Sequence, residues 1–166
     1  MRRDADPDLG SPGESGGLEV RRFAAGDACA VHALDDAAMS ASRARGRRDA
    51  DLDSIAAAYL QDGGEFLVGI RDGRLIAMGT LRHVTDAVAE LDRIQVHAAF
   101  HRRGFGATIL ARLEQRAGEL GYRRLRLDSP VALTAARRLY ESAGYREVGR
   151  GQFAGAEVIY FEKALA

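Results

Sequence analysis

The residues best suited to chemistry lie in one stretch, His101-Arg102-Arg103-Gly104-Phe105-Gly106-Ala107, where a strand-like run ending at Val96 gives way to a helical one. Glycines at the start of a helix let unpaired backbone N–H groups approach a ligand closely, and the helix dipole favours negative charge there. The chemistry such a turn offers is the cradling of a phosphate or pyrophosphate. Two glycines at a helix start also serve to relieve packing, so the turn alone leaves both readings open. Other phosphate motifs fit worse: no Gly-Lys-Ser/Thr is present, and Ile109 stands where the third glycine of Gly-x-Gly-x-x-Gly belongs.

Elsewhere, the reactive residue types carry less pattern. His32, His83 and His97 have no mutual metal-ligand spacing, so they read as ordinary polar or partly buried residues and no metal is expected. Cys29 is the single cysteine. It can form no internal disulfide, which fits a reducing compartment, and it reads as a small core residue in a helix-like stretch.

The elements that must position the glycine turn follow from periodicity. Leu18 to Phe23 alternates like a half-buried strand, and Gly26-Asp27 offers an N-cap for a helix carrying Val31, Leu34, Ala38 and Met39. The run Arg43 to Arg48 reads as a solvated loop, followed by a short helix from Leu52 to Leu60. Strands are expected at 65–70 and 74–81, joined by the hairpin signal Asp72-Gly73, and a third at 88–96 after a break around His83, Thr85 and Asp86. The most secure helix spans Gly104 to Leu120, with Phe105, Ile109, Leu110, Leu113 and Ala117 on one stripe and Gly121 as C-cap. Arg124 to Asp128 alternates as a strand. Leu133 to Ala143 is helical and closed by Gly144, and 145–148 and 157–161 are the last strands, around a turn at 149–155. This order implies an α/β fold, a mixed sheet with helices on both faces.

Composition narrows the classes. The chain has 166 residues, 46% of them hydrophobic, enough for one domain with a real core. Its formal net charge is zero, so no global field draws it to nucleic acid or to an anionic membrane, despite the cluster Arg102, Arg103, Arg112, Arg116, Arg123, Arg124 and Arg126. Nowhere does it offer the ~20 apolar residues that span a bilayer. Residues 1–17, rich in Gly, Pro, Asp and Ser, read as a disordered tail without a signal-peptide core, leaving 18–166 as the folded domain, expected in the cytoplasm.

The strand, the Arg102-Arg103-Gly104-Phe105-Gly106-Ala107 turn, the amphipathic helix, and some thirty residues later Ala136-Arg137-Arg138-Leu139-Tyr140-Glu141-Ser142-Ala143-Gly144-Tyr145 together resemble the GNAT superfamily of acyl-CoA-dependent N-acyltransferases. The resemblance is strong from Ala89 to Gly144 and architectural before it. It implies a central, mostly antiparallel sheet splayed between its fourth and fifth strands, with acetyl-CoA entering the gap. The backbone of Ile94 and Val96 would pair with the pantetheine arm, and Arg102, Arg103, Gly104, Phe105, Gly106, Ala107 and Thr108 would hold the pyrophosphate. The family often has Gly at the position of Arg102, and Arg or Gln at that of His101. Thr134 would stand in for an asparagine common near the next helix.

The implied activity is transfer of the acetyl group to a primary amine by direct attack. An amine with a pKa near ~10 is protonated at neutral pH and needs a base. Glu90 fits by motif position, and Asp92 shares its strand face unless a bulge shifts the parity; water is the third candidate. A backbone N–H near Val96 would stabilise the thioester oxygen, and Tyr140 resembles the family's tyrosine acid. Expected partners are a small-molecule or peptide amine, with a homodimer left open. A protein that binds acetyl-CoA without chemistry, acting as a sensor, is the alternative.

Overall fold

The computed structural model describes residues 17–42 and 52–166. Most of the tail at 1–17 and the arginine run at 43–48 lie outside the described residues. The described chain folds as β1 (Glu19–Arg22), α1 (Ala28–Ser42), α2 (Ile55–Tyr59), β2 (Glu65–Arg71), β3 (Arg74–Thr85), β4 (Val88–Val96), α3 (Phe105–Glu119), β5 (Arg124–Pro130), α4 (Thr134–Ser142), β6 (Arg146–Phe153) and β7 (Ala156–Ala164). Seven strands form one sheet in the order β1-β2-β3-β4-β5-β7-β6, and the β4–β5 pair alone is parallel.

Two apolar layers flank the sheet. On one face α3 lays Ile109, Leu110 and Leu113 on Leu81, Ala89 and Leu91, and α4 adds Tyr140. Each fully buried Leu or Ile stabilises the fold by roughly 1.5–3 kcal/mol, so Leu113→Ala should cost about 2–5 kcal/mol. On the other face Val31 and Leu34 of α1 and Tyr59 of α2 pack on Phe66, Val68 and Met78. The stripe of α1 that includes Val31 and Leu34 points inward, which leaves Cys29 on the outer side; it is exposed rather than a core residue.

Several boundaries differ from the sequence reading. β3 does not break at His83 but runs to Thr85 with a register shift, because the Thr85 hydroxyl accepts the N–H groups of Ala87 and Val88 and so closes a tight turn. The glycines Gly149 and Gly151 are not in a turn; they lie within β6. A Cβ on Gly151 would sit 2.6 Å from Tyr160 Oη, so glycine there makes room for the ring laid across from β7. The hairpin turn falls at Ala154-Gly155 instead, both in left-handed conformation with φ of 48° and 79°.

Candidate active site

β4 and β5 are in register only from Val88↔Arg124 to Glu90↔Arg126. Beyond that point β5 stays on β7 as far as Pro130↔Val158 while β4 stays on β3, so the two strands diverge. The opening is a cavity of about 780 Å³, within the range of about 300–1,000 Å³ usual for ligand sites.

A bulge in β4 shapes its wall. Between the pairs Met78↔Gln95 and Thr80↔Asp92 one residue of β3, Gly79, stands against two of β4, Arg93 and Ile94, and Arg93 has φ +50°. Glu90 and Asp92 precede the bulge and share the α1/α2 face with Met78 and Thr80. After it, Ile94 and Val96 pack on the α3 side. The His97 N–H donates to Ile76 O at 2.7 Å, toward β3. Successive peptide groups alternate edges, so the N–H and C=O of Val96 face the splay. The Val96 carbonyl there accepts from His101 Nε2 at 2.7 Å.

At the far end of the cavity the chain turns into α3. Arg102 and Gly104 are both left-handed, with φ of 62° and 81°. That alternation gathers consecutive N–H groups into a concave anion site at the positive end of a helix of 15 residues. It also accounts for the glycine often found at the position of Arg102: glycine takes this conformation freely, whereas Arg102 bears a strain of order 1–3 kcal/mol. A Cβ on Gly106 would lie 3.4 Å from Leu139 Cδ2 and 3.8 Å from Val96 Cγ2, so any larger side chain would enter the gap. Ile94, Val96, Arg102, Gly104, Phe105 and Gly106 all line the cavity, whereas Arg103, Ala107 and Thr108 stand just outside its lining. Arg103 stacks over the Phe100 ring at 5.3 Å.

Tyr140 reaches the cavity from α4 while its ring packs on Tyr145 and Phe161. Burial pushes its phenol well above the ordinary tyrosine range, and the charges of Asp92 and Asp128 add to the push. Both aspartates line the cavity. Each lies two residues past the last β4–β5 pair, so they flank the opening from opposite strands on the α1/α2 face. Glu90 is outside this cavity, at the closed end of the splay, where its Oε2 accepts from Arg126 Nε at 3.0 Å. Asp128 was missed by sequence reasoning. Its signal was there, as the outward position after Arg124 and Arg126, but only the strand separation makes that position a cavity wall. Among the described residues no group of three or more His, Cys, Asp or Glu could hold a metal ion, and no helix is long and apolar enough to cross a membrane.

A splayed mixed sheet with a helix N-terminus at the gap defines an acyltransferase-type scaffold, and the family comparison agrees. Residues 30–145 match the model of the Acetyltransferase (GNAT) family. The chain belongs to that family. N-acetylaspartate synthetase of Rattus norvegicus is 30% identical over 101 residues, which is 60% of this chain and 34% of that protein. The chain thus spans about a third of the length of this curated relative, by the same 34%. An acetyltransferase from Streptococcus agalactiae superposes with a TM-score of 0.82 at 16% identity, over 90% of this chain and 99% of that one. A Salmonella typhimurium acetyltransferase, solved with its cofactor acetyl-CoA, gives 0.75 at 19% identity, over 90% and 94%. At these identities the structural likeness concerns the fold.

Proposed function

We propose that this chain transfers the acetyl group of acetyl-CoA to a primary amine by direct attack. The observation that carries the reading is the β4–β5 splay, which puts an anion site, an unpaired strand edge and a buried phenol along one cavity. The residues present fit the cofactor: the 102–106 turn offers converging N–H donors for a pyrophosphate, and the outward N–H and C=O of Val96, with those of Ile94, suit an amide-containing arm. Acetyl-CoA supplies an activated thioester.

The protein's own groups then divide the work. The acceptor enters as an ammonium from the α1/α2 face, and a carboxylate takes its proton. Asp92 and Asp128 fit this role better than Glu90, which is held by Arg126 outside the cavity. As the nitrogen bonds to the carbonyl carbon, the Val96 N–H stabilises the charge growing on the oxygen. The carbon–sulfur bond breaks and the Tyr140 hydroxyl gives its proton to the sulfur. The raised pKa keeps that proton in place until it is needed. Transfer becomes favourable because one flanking carboxylate has just been neutralised by the amine's proton, which removes some of the repulsion on a phenolate. The same carboxylic acid returns the proton to Tyr140, and the carboxylate so regenerated takes the second proton from the acylated nitrogen and releases it to solvent.

The acceptor in this reading is a small molecule or peptide whose amine lies near an anionic group. The name of the rat relative supports it, since aspartate is such an amine. Thiol release from acetyl-CoA against a panel of amines, with and without carboxylates, tests both the chemistry and the acceptor class. Binding of acetyl-CoA with no release for any amine would make the protein a sensor.

A further inference from the structure

The acyl-transfer reading leaves one buried ion pair without a task. Arg93 and Asp35 have side chains only 3% exposed each, and their Nη1 and Oδ1 are 2.7 Å apart. Removing two charges from water is costly, and apolar replacements of such pairs are often neutral or stabilising, so stability alone is a weak reason for its presence. Its location suggests another. Arg93 is the residue at φ +50° that makes the β4 bulge, a conformation a non-glycine residue holds only when its surroundings over-determine it.

Those surroundings are specific. The Arg93 guanidinium donates through Nη1 to Asp35 of α1 and through Nε to Tyr59 Oη of α2 at 3.1 Å. Gln95 Nε2 donates to the same Asp35 oxygen at 3.0 Å. Within β4 the Arg93 N–H donates to Asp92 Oδ1 at 2.8 Å, and the Thr80 hydroxyl donates to the Asp92 carbonyl at 2.9 Å. Three elements are thereby tied to residues 92–95, the segment that decides which edge the N–H groups of Ile94 and Val96 face.

We propose that Arg93 is a positioning residue: clamped between Asp35 and Tyr59, it holds β4 in the bulge that aims the Val96 N–H at the thioester oxygen. The proposal rests on the acetyl-CoA reading above, and it places the oxyanion geometry partly under the control of the two helices on the acceptor side. An error of about 1 Å in such a donor can cost about 10²-fold in rate, so a rigid clamp has a purpose that packing lacks.

The test reads the carbonyl directly rather than turnover. Acetyl-CoA labelled with ¹³C at the thioester carbon is bound to the protein, and the infrared stretch of the carbonyl is compared with that of the free molecule. The parent should lower the frequency, as hydrogen bonding to the oxygen polarises the bond. In Arg93→Met/Asp35→Asn, which removes both charges together, most of that shift should vanish while the Kd of CoA lacking the acetyl group stays within about threefold, because the pyrophosphate turn is untouched. Tyr59→Phe, which keeps the ring and loses one bond, should lose a fraction of the shift and serves if the double variant does not fold. A folded double variant, or in its absence a folded Tyr59→Phe, with the full parental shift would overturn the proposal. A parent that binds acetyl-CoA without any shift would overturn it too, and would leave the cofactor reading standing; a parent that binds neither CoA nor acetyl-CoA would overturn both.

Discussion

The two ends of the cavity are built by different means. At the end proposed for the cofactor the cavity wall is largely backbone, from the turn at 102–106 and the strand edge at Ile94 and Val96. At the end proposed for the acceptor the wall carries side chains, Asp92, Asp128 and Tyr140 among them, with the buried Arg93–Asp35 pair close by. A site built from backbone should tolerate changes of side chain type at positions such as His101 and Arg102. A side chain site does not, because each charge there depends on the next.

The sharpest break of that contrast is Tyr140→Phe, which keeps the ring and its packing and removes only the hydroxyl. Loss of a general acid typically costs about 10²- to 10⁴-fold, so kcat should fall that far while acetyl-CoA binds normally. A kcat within about threefold of the parent, when chemistry limits turnover, would return Tyr140 to the core, since that is only about 0.7 kcal/mol. Next come the carboxylates. Asp92→Asn and Asp128→Asn should lower kcat at neutral pH, one of them by about 10²-fold or more, whereas Glu90→Gln should stay within about threefold; the reverse order would move the base back to the closed end of the splay.

The cofactor end is probed by Gly106→Leu, whose side chain must enter the gap between Leu139 and Val96. Calorimetry should show acetyl-CoA affinity weakened by about 10- to 100-fold, or about 1.4–2.7 kcal/mol, in a folded protein. Unchanged affinity would mean that the turn is misplaced as the pyrophosphate site.

Alkaline stability separates the buried phenol from ordinary surface tyrosines. Burial raises the pKa of both Tyr140 and Tyr145, with nearby carboxylates adding to it. A group raised in the folded state contributes stability that is complete below its unfolded value, about pH 10, and is lost as pH climbs above it. Each tyrosine should therefore cost about 1.4 kcal/mol per pH unit above about pH 10, and Tyr140→Phe should reduce the slope measured by urea unfolding by about that amount. The smallest effect is expected far from the cavity. Hydrogen bonding from Arg21, chiefly, and from the Ala24 N–H lowers the Asp27 pKa. Its contribution is present above the ordinary carboxylate value and fades as pH falls below it, so Asp27→Asn should lose about 0.5–1 kcal/mol at pH 7 and almost nothing near the acid limit.

The sequence by itself determined the elements whose cause is local. The stripe of α3 from Phe105 to Ala117 follows from 3.6-residue periodicity, and its start at Gly104 follows from the need for a residue that accepts positive φ. The Asp72-Gly73 hairpin follows the same logic, with φ of 49° and 75°. The acid candidate, Tyr140, came from the resemblance of the segment around it to the family's motif. Tertiary structure decided the remainder because it depends on which strand lies beside which. Asp128 looks like any outward strand residue until β4 and β5 separate just ahead of it. Glu90 holds the motif position for a base, yet the same divergence begins only after Glu90↔Arg126, which leaves the carboxylate on Arg126 and outside the cavity. Arg93 reads as one more surface arginine in an arginine-rich chain; it is a buried clamp because one extra residue in β4 turns it toward Tyr59 and Asp35, on helices 34 and 58 residues away in sequence.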